Sequence, residues 1–243
     1  MSMNFNKELR KEKYALCHVL VRTAGGVDIF SDQEDALRFV FQMHAANIGR
    51  PAANLYRKET GFISERLLSG EDIPAGYIQN GHRGFLVKIG SFALVKDHVH
   101  FLLSANIQNG IPDFIGRLNL GFAKYYNNKH KKQGILFDRP YKIAKVSNNL
   151  QADAAVFYIN IKSALEALNL DWSKSKSEDF MERISGYKFS SFPDLFLSRN
   201  SRITSAKAVA DYGVKKQNLA KYAGLISAGN LEKIKFEKEL FLE

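Results

Sequence analysis

Residues 85–103 read FLVKIGSFALVKDHVHFLL, two runs of strand-forming residues that lie close together in the chain. The first run extends from Phe85 to Val95 and the second from His98 to Leu103, with only Lys96 and Asp97 between them. A two-residue connection is the spacing of a tight β-hairpin, although this dipeptide lacks the glycine that such turns favour. The stretch therefore predicts an antiparallel hairpin at the centre of the fold.

The sequence on either side of the hairpin alternates between strand-like and helical patterns. Tyr14 to Arg22 is a dense strand-forming run, and a Gly25-Gly26 turn follows it. The other predicted elements are a helix that begins after Ser31 and closes at Gly49, a short helix around Ile63 to Leu68 within an insertion over residues 50–83, an amphipathic helix from Ile111 to Asn128, a strand within Ile135 to Val146, and a helix from Gln151 to Leu168. This order predicts an α+β fold with helices packed on an antiparallel sheet.

The last part of the chain has a different composition. A polar stretch follows Trp172, and Pro193 and the residues 199–202 precede a segment with helical character. We therefore expect one main domain over residues 1–190 and a helical C-terminal tail over residues 191–243. The tail sequence AKAVADYGVKKQNLAKYAG has the rhythm of a helix-turn-helix, but two plain amphipathic helices packed on the core are the favoured interpretation.

The composition favours a polyanionic partner. The chain has 35 Lys and Arg against 25 Asp and Glu, a net charge of +10. A field of this sign attracts nucleic acid, although a solvated basic surface without a specific partner is the simpler alternative. Aromatic residues Tyr125, Tyr126, Phe137 and Tyr141 interleave with the basic ones, as in sites that bind single strands, although some of them could belong to the core. The basic residues of this region are Lys124, Lys129, Lys131, Lys132, Arg139, Lys142 and Lys145.

The cysteine content and the hydropathy indicate the cellular compartment of the protein. Cys17 is the only cysteine, so neither an intramolecular disulfide nor a cysteine-based zinc site can form. Residues 1–13 are polar and charged, and no apolar run reaches the roughly 18 residues that a membrane span requires. We expect a cytoplasmic protein that has no association with membranes.

Two histidines on the second strand of the hairpin are the candidate metal ligands. His98 and His100 are two residues apart, so in a strand both imidazoles project from one face. Imidazole suits Zn, Mn, Fe or Cu, whereas Mg normally requires additional oxygen ligands, such as those of a phosphate. The pair alone does not identify the metal, and histidines at this spacing also occur by chance or for structural reasons.

Tyr158 is the candidate nucleophile, in the helical run AAVFYINIK. Most helical tyrosines are core aromatics, so its catalytic interpretation depends on a nearby metal site that polarises a phosphate. Lys162 lies four residues later and therefore on the same helix face.

The ordered motifs resemble the IS200-type transposases with one catalytic tyrosine, and most closely the REP-associated tyrosine transposases. The resemblance extends from Tyr14 to Phe196, and the motifs that carry it are SFALVKDHVHFLL, GFAKYYNNKHKKQGILFDRPYK and YINIKSA. An HxH motif alone is weak, but the three elements in this order are specific. The resemblance implies a ferredoxin-like or RRM-like sheet with the histidines on a central strand.

The resemblance also implies the chemistry. His98 and His100 would bind Mg²⁺ or Mn²⁺, and Tyr158 would attack a phosphate of single-stranded DNA near a hairpin. A 5′-phosphotyrosine and a free 3′-hydroxyl would result, and a second 3′-hydroxyl could then reverse the step. The DNA contacts would come from the basic residues; those predicted to bind DNA are Arg22, Lys124, Lys131, Lys132, Arg139, Lys142, Lys145 and Lys162. Whether the protein acts as a monomer or a homodimer stays open.

The chain departs from the family pattern near both motifs. Asp97 replaces the usual Asn before the first histidine, and YINIKSA replaces YIHxNP. Four residues after the tyrosine the family has an amide that completes the metal shell, whereas protonated Lys162 cannot bind a metal. Either Asp97, Asn160 or water takes the place of the amide, or metal binding is weakened, or Lys162 binds the phosphate as a point charge.

Two other functions follow from these departures and from the histidines. The first is a domesticated protein that binds hairpin DNA or RNA but is catalytically weak or inactive. The second is a two-histidine phosphodiesterase, which usually needs a second histidine motif that this sequence does not contain.

Overall fold

A computed structural model describes residues 15–48, 59–74, 77, 84–170, 177–215 and 221. The strands are β1 (Leu16–Arg22), β2 (Val87–Val95), β3 (His98–Ala105) and β4 (Lys142–Val146). The helices within these residues are α1 (Gln33–Asn47), α2 (Glu59–Ser69), α3 (Gly110–Lys129), α4 (Asn149–Phe157), α5 (Ser163–Ala167), α6 (Ser177–Gly186), α7 (Phe192–Phe196) and α8 (Lys207–Ala210). Among the described residues, no helix combines the length and the apolar character that a membrane span requires.

The four strands form one sheet in the order β2-β3-β1-β4, and each neighbouring pair is antiparallel. The Lys96-Asp97 connection joins β2 to β3 as predicted, and the register of β2 shifts between Ile89 and Ser91. The register of β1 against β3 extends from Leu16 opposite Ser104 to Arg22 opposite His98. Two strand-helix-strand units in this order give the ferredoxin-like arrangement, so the predicted α+β fold is confirmed.

Alternation along the central strands gives the sheet two different faces. On one face, Cys17, Val19 and Val21 of β1 pack in a core with residues of α1 and α3. On the other face, Leu16 and Leu102 pack in a second core with residues of α4, α5 and α7. We call this second face, which also carries the even-numbered residues His18, Arg22, His98 and His100, the histidine face.

Three element boundaries differ from the predicted ones. α1 is capped by Asp32, whose side chain accepts from Glu34 N–H, and not by Ser31, which bonds to Asp28. The strand predicted within Ile135 to Val146 is regular only in β4, because Phe137 makes an isolated bridge to Thr23 and the chain then bends through Arg139-Pro140. The predicted helix from Gln151 to Leu168 is interrupted by a π-helical segment, Tyr158–Lys162.

The outer edge of β2 is covered by a later part of the chain. Phe189 O accepts from Leu94 N at 3.0 Å, and Ser191 N donates to Phe92 O at 2.8 Å. Further along the edge, Ser205 N donates to Ile89 O at 2.7 Å. The domain boundary predicted near residue 190 falls within this paired segment; most of the predicted helix-turn-helix sequence lies outside the described residues.

Candidate functional site

His98 and His100 lie side by side on the histidine face of β3. Their exposed fractions are 1% and 0%, and their ring centroids are 4.9 Å apart with the ring planes almost perpendicular. The strand alternation predicted from the sequence thus places both imidazoles in one buried position. Two neutral imidazoles held this close can chelate a divalent cation.

His98 is oriented by the residue that precedes it. Asp97 Oδ1 lies 2.6 Å from His98 Nδ1, so the carboxylate accepts a hydrogen bond from the ring N–H. His98 Nε2 is buried, and no atom of the described residues is within hydrogen-bonding reach of it. Metal-binding histidines commonly have a carboxylate on one nitrogen and the metal on the other. The surroundings of His98 fit that role.

His18 of β1 is a third histidine at this position, and the sequence did not predict its participation. Its Nε2 lies 3.0 Å from His100 Nδ1, and its exposed fraction is 1%. The pKa of His100 is held well below its usual range, chiefly because the ring is buried and also because His18, His98, Arg22 and Lys162 surround it. His100 is therefore neutral, as a metal ligand must be. The signal for His18 was its even position in β1, which becomes informative only once the register with β3 is known.

Tyr158 packs against these histidines from the helical layer. Its ring centroid is 5.2 Å from that of His100 and 5.9 Å from that of His18, both in edge contacts. Tyr158 begins the π-helical segment, where Ser163 N–H donates to Tyr158 O across five residues. Such π turns occur frequently at functional sites. The fold brings the predicted nucleophile to the two predicted metal ligands, His98 and His100, which together form the ledge on β3. The Tyr158 side chain is only 1% exposed.

Two cations flank the cluster of rings. The ammonium of Lys162 lies 4.6 Å from the centroid of the Tyr158 ring. Arg22 is opposite His98 in the sheet, and its Nε is buried with no hydrogen-bond partner in the described part of the chain. Both positive charges contribute to lowering the pKa of His100, after the larger effects of burial and of the two other histidines. An anionic group would be attracted to this position.

A third protein ligand for a metal is not evident. Asn160 is committed elsewhere, because its Nδ2 donates to Ser91 Oγ and Val156 O and its Oδ1 accepts from Ser191 Oγ, at 2.7 to 2.8 Å. The Asp97 carboxylate is hydrogen-bonded to His98 Nδ1. Across the described ranges, no group of three or more His, Cys, Asp or Glu side chains is arranged to hold a metal. The residues fit a site of two imidazoles completed by oxygens from outside the protein.

The predicted DNA-binding residues are distributed over both faces of the sheet. Lys142 is opposite Leu20 and shares the histidine face, whereas Lys145 is opposite Cys17 and lies on the other face. Lys124 is exposed on α3, which packs on that other face.

The remaining basic residues lie between α3 and β4. Lys131, Lys132 and Arg139 are exposed in this connection, which bonds to the end of β1 through Asp138 N and Arg22 O at 2.8 Å. The connection therefore runs past the end of β1 that carries Arg22.

The aromatic residues predicted to stack on bases are mostly core residues. Tyr125, Tyr126 and Phe137 are each 4% exposed, and the Tyr125 hydroxyl donates to the buried carboxylate of Asp35 at 2.8 Å. Only Tyr141 is half-buried. The interleaved pattern of basic and aromatic residues thus arises because one side of each segment packs into the core, and it does not form a stacking surface in this conformation.

The comparison with protein-family models supports the resemblance. Residues 71–162 match the family model described as "Transposase IS200 like". No curated protein matches the chain. A solved structure described as "Structure of the REP associates tyrosine transposase bound to a REP hairpin" aligns with 84% of this chain and 92% of its own, at 10% identity and a TM-score of 0.43. The predicted resemblance to the IS200-like transposases is confirmed, and the residues that match the family model include His98, His100 and Tyr158.

Proposed function

We propose that the protein is a transposase that cuts and rejoins single-stranded DNA through a covalent bond to Tyr158 and depends on a divalent metal. The observation that carries the proposal is the contact of the Tyr158 ring with His18 and His100, beside the Lys162 ammonium. His18, His100 and Tyr158 lie far apart in the sequence, and the fold brings them into contact. A tyrosine, imidazoles and cations on one face supply the nucleophile and the charge that phosphoryl transfer needs.

In the proposed step, the Tyr158 oxygen forms a bond to the scissile phosphorus, and the bond to the 3′ oxygen breaks. The phenol loses its proton, and the departing oxygen ends as a free 3′-hydroxyl. The DNA remains attached through its 5′ phosphate, and attack by another 3′-hydroxyl restores the tyrosine. Each step breaks one phosphate ester bond and forms another, so no nucleotide cofactor is required.

His98, through its Nε2, and His100 are the residues that would hold Mg²⁺ or Mn²⁺, which would neutralise developing charge on the phosphate. Asp97 fixes the ring of His98 for that purpose. Arg22 and Lys162 would bind the nonbridging oxygens as cations, which is consistent with the absence of an amide at position 162. Lys142 and Arg139 would contact the strand on either side.

The burial of Tyr158 sets a condition on this mechanism. At 1% exposure the phenol cannot meet a phosphate, so substrate binding has to displace the side chains that enclose it. Lys162 is exposed and lies over the ring, so an incoming phosphate that attracts the ammonium would draw it away. We therefore expect cleavage to require a strand that occupies the basic surface.

The test is covalent capture. The full chain is incubated with Mn²⁺ and single-stranded oligonucleotides that contain an imperfect hairpin, and the products are separated under denaturing conditions. An adduct that is present in the wild type and in Tyr212→Phe but absent in Tyr158→Phe supports the proposal. An adduct that persists in Tyr158→Phe shows that another residue is the nucleophile.

A domesticated hairpin-binding protein is the second candidate, and two observations favour it. Tyr158 is enclosed, and Lys162 replaces the amide that would complete a metal shell. Binding of hairpin DNA or RNA without any cleavage in Mg²⁺, Mn²⁺ or other divalent metals would support this function. Cleavage of the same oligonucleotides would exclude it.

A further inference from the structure

We propose that His18 is a positioning residue: it fixes the ring and the proton of His100, and so determines which nitrogen His100 presents to a divalent cation. The part of this inference that concerns the cation rests on the proposed function. The part that concerns the hydrogen bond between the two histidines rests on their geometry alone.

The two rings are held together within the sheet. His18 and His100 are 1% and 0% exposed, their facing nitrogens are 3.0 Å apart, and their planes are tilted by 31°. β1 and β3 are central strands whose register places Leu20 opposite His100, so His18 is the diagonal neighbour on the same face. Two buried rings on paired strands have little freedom to turn.

A hydrogen bond between two neutral imidazoles needs one donor and one acceptor. If His18 Nε2 donated, His100 Nδ1 would accept, and the proton of His100 would be on Nε2, where it prevents metal binding. If His100 Nδ1 donates, the lone pair of Nε2 is available. In the neighbouring pair the Asp97 carboxylate accepts a hydrogen bond from His98 Nδ1. The equivalent assignment for His100, with Nδ1 donating to His18, leaves Nε2 of both His98 and His100 unprotonated, and this is the assignment that we infer.

His18 therefore has the role for His100 that Asp97 has for His98. The alternative, that His18 is itself a third metal ligand, does not agree with the geometry. Its Nε2 is directed at His100 Nδ1, the nitrogen that faces away from the ligand position. His18 also touches the Tyr158 ring, so it links the nucleophile to the ledge.

The experiment first locates the proton in the metal-free protein by ¹⁵N NMR of the histidine rings. We expect the His100 proton on Nδ1 in the wild type. In His18→Gln an amide oxygen can still accept, so the proton stays on Nδ1; in His18→Leu it moves to Nε2 in a substantial fraction of molecules. A wild-type proton on Nε2 overturns the inference, and this measurement does not require a folded variant.

The second measurement is Mn²⁺ affinity, followed through the EPR signal of the free ion. Loss of an outer partner typically weakens metal binding by about 10- to 100-fold, so this is the loss expected for His18→Leu, with His18→Gln much closer to the wild type. His44→Leu, at a half-buried histidine elsewhere, should bind as the wild type does. Equal Mn²⁺ affinity in His18→Leu and the wild type overturns the role toward the cation. If the wild type binds no Mn²⁺ while the proton shifts as expected, the proposed metal site fails and the positioning of His100 stands.

Discussion

The carboxylate of Asp194 is expected to hold together the segment over residues 189–205, which pairs with β2. Its side chain is 4% exposed, and it accepts two hydrogen bonds from Arg199, two from Ser201 and one from Thr204, between 2.7 and 2.9 Å. Asp194→Asn replaces one accepting oxygen with a donor and removes the charge that Arg199 faces. Breaking a buried ion pair in this way costs about 3–5 kcal/mol in the free energy of unfolding.

Urea denaturation followed by circular dichroism measures this loss. The matched control is Asp211→Asn, an exposed carboxylate nearby in the chain, which should change the free energy of unfolding by less than about 0.5 kcal/mol. Because the segment pairs with β2, we expect the destabilised variant to unfold in a single transition at lower urea. A loss below about 1 kcal/mol, or a separate early transition with the main one unchanged, would refute the reasoning that the segment and the sheet are one cooperative unit.

Two further predictions concern charge and pH. Lys142 and Lys145 are on one strand but on opposite faces of the sheet. Lys142→Ala should therefore weaken binding of hairpin-bearing single strands and reduce the salt dependence of the binding constant by about 1 in slope, and Lys145→Ala should have a smaller effect. Equal losses of affinity in the two variants, measured by fluorescence anisotropy across a salt series, would contradict this. Burial lowers the pKa of His44 in the folded protein. Below the unfolded value of about 6.5 the unfolded chain therefore binds more protons, and stability falls as the pH falls. His44→Gln should lose less stability than the wild type between pH 8 and pH 5.5 in urea denaturation, and equal losses would count against a low pKa.

Alternation and spacing were sufficient to predict the centre of the fold. The HVH pattern placed two imidazoles on one face, and the two-residue Lys96-Asp97 connection fixed the hairpin. The helix that carries Tyr158 was also predicted, although the π-helical segment was not, because a single additional residue in a turn leaves no mark on a helical period.

The surroundings of the ledge could not be predicted, because they depend on contacts between distant segments. His18 belongs to the site only through the register of β1 against β3. Asn160 was a candidate ligand by its position in the chain, but the structure commits its amide to Ser91 and Ser191. The aromatic residues near the lysines looked suited to stacking, yet burial of Tyr125 and Tyr126 assigns them to the core.

The central claim is that Tyr158 becomes covalently linked to DNA, and peptide mapping tests it most directly. The adduct formed with hairpin-bearing single strands in Mn²⁺ is digested with nuclease and protease and analysed by mass spectrometry. The proposed chemistry predicts a nucleotide joined through its 5′ phosphate to Tyr158, with a free 3′-hydroxyl on the released strand. A nucleotide on any other residue, or intact DNA in every divalent metal while binding is retained, would contradict it.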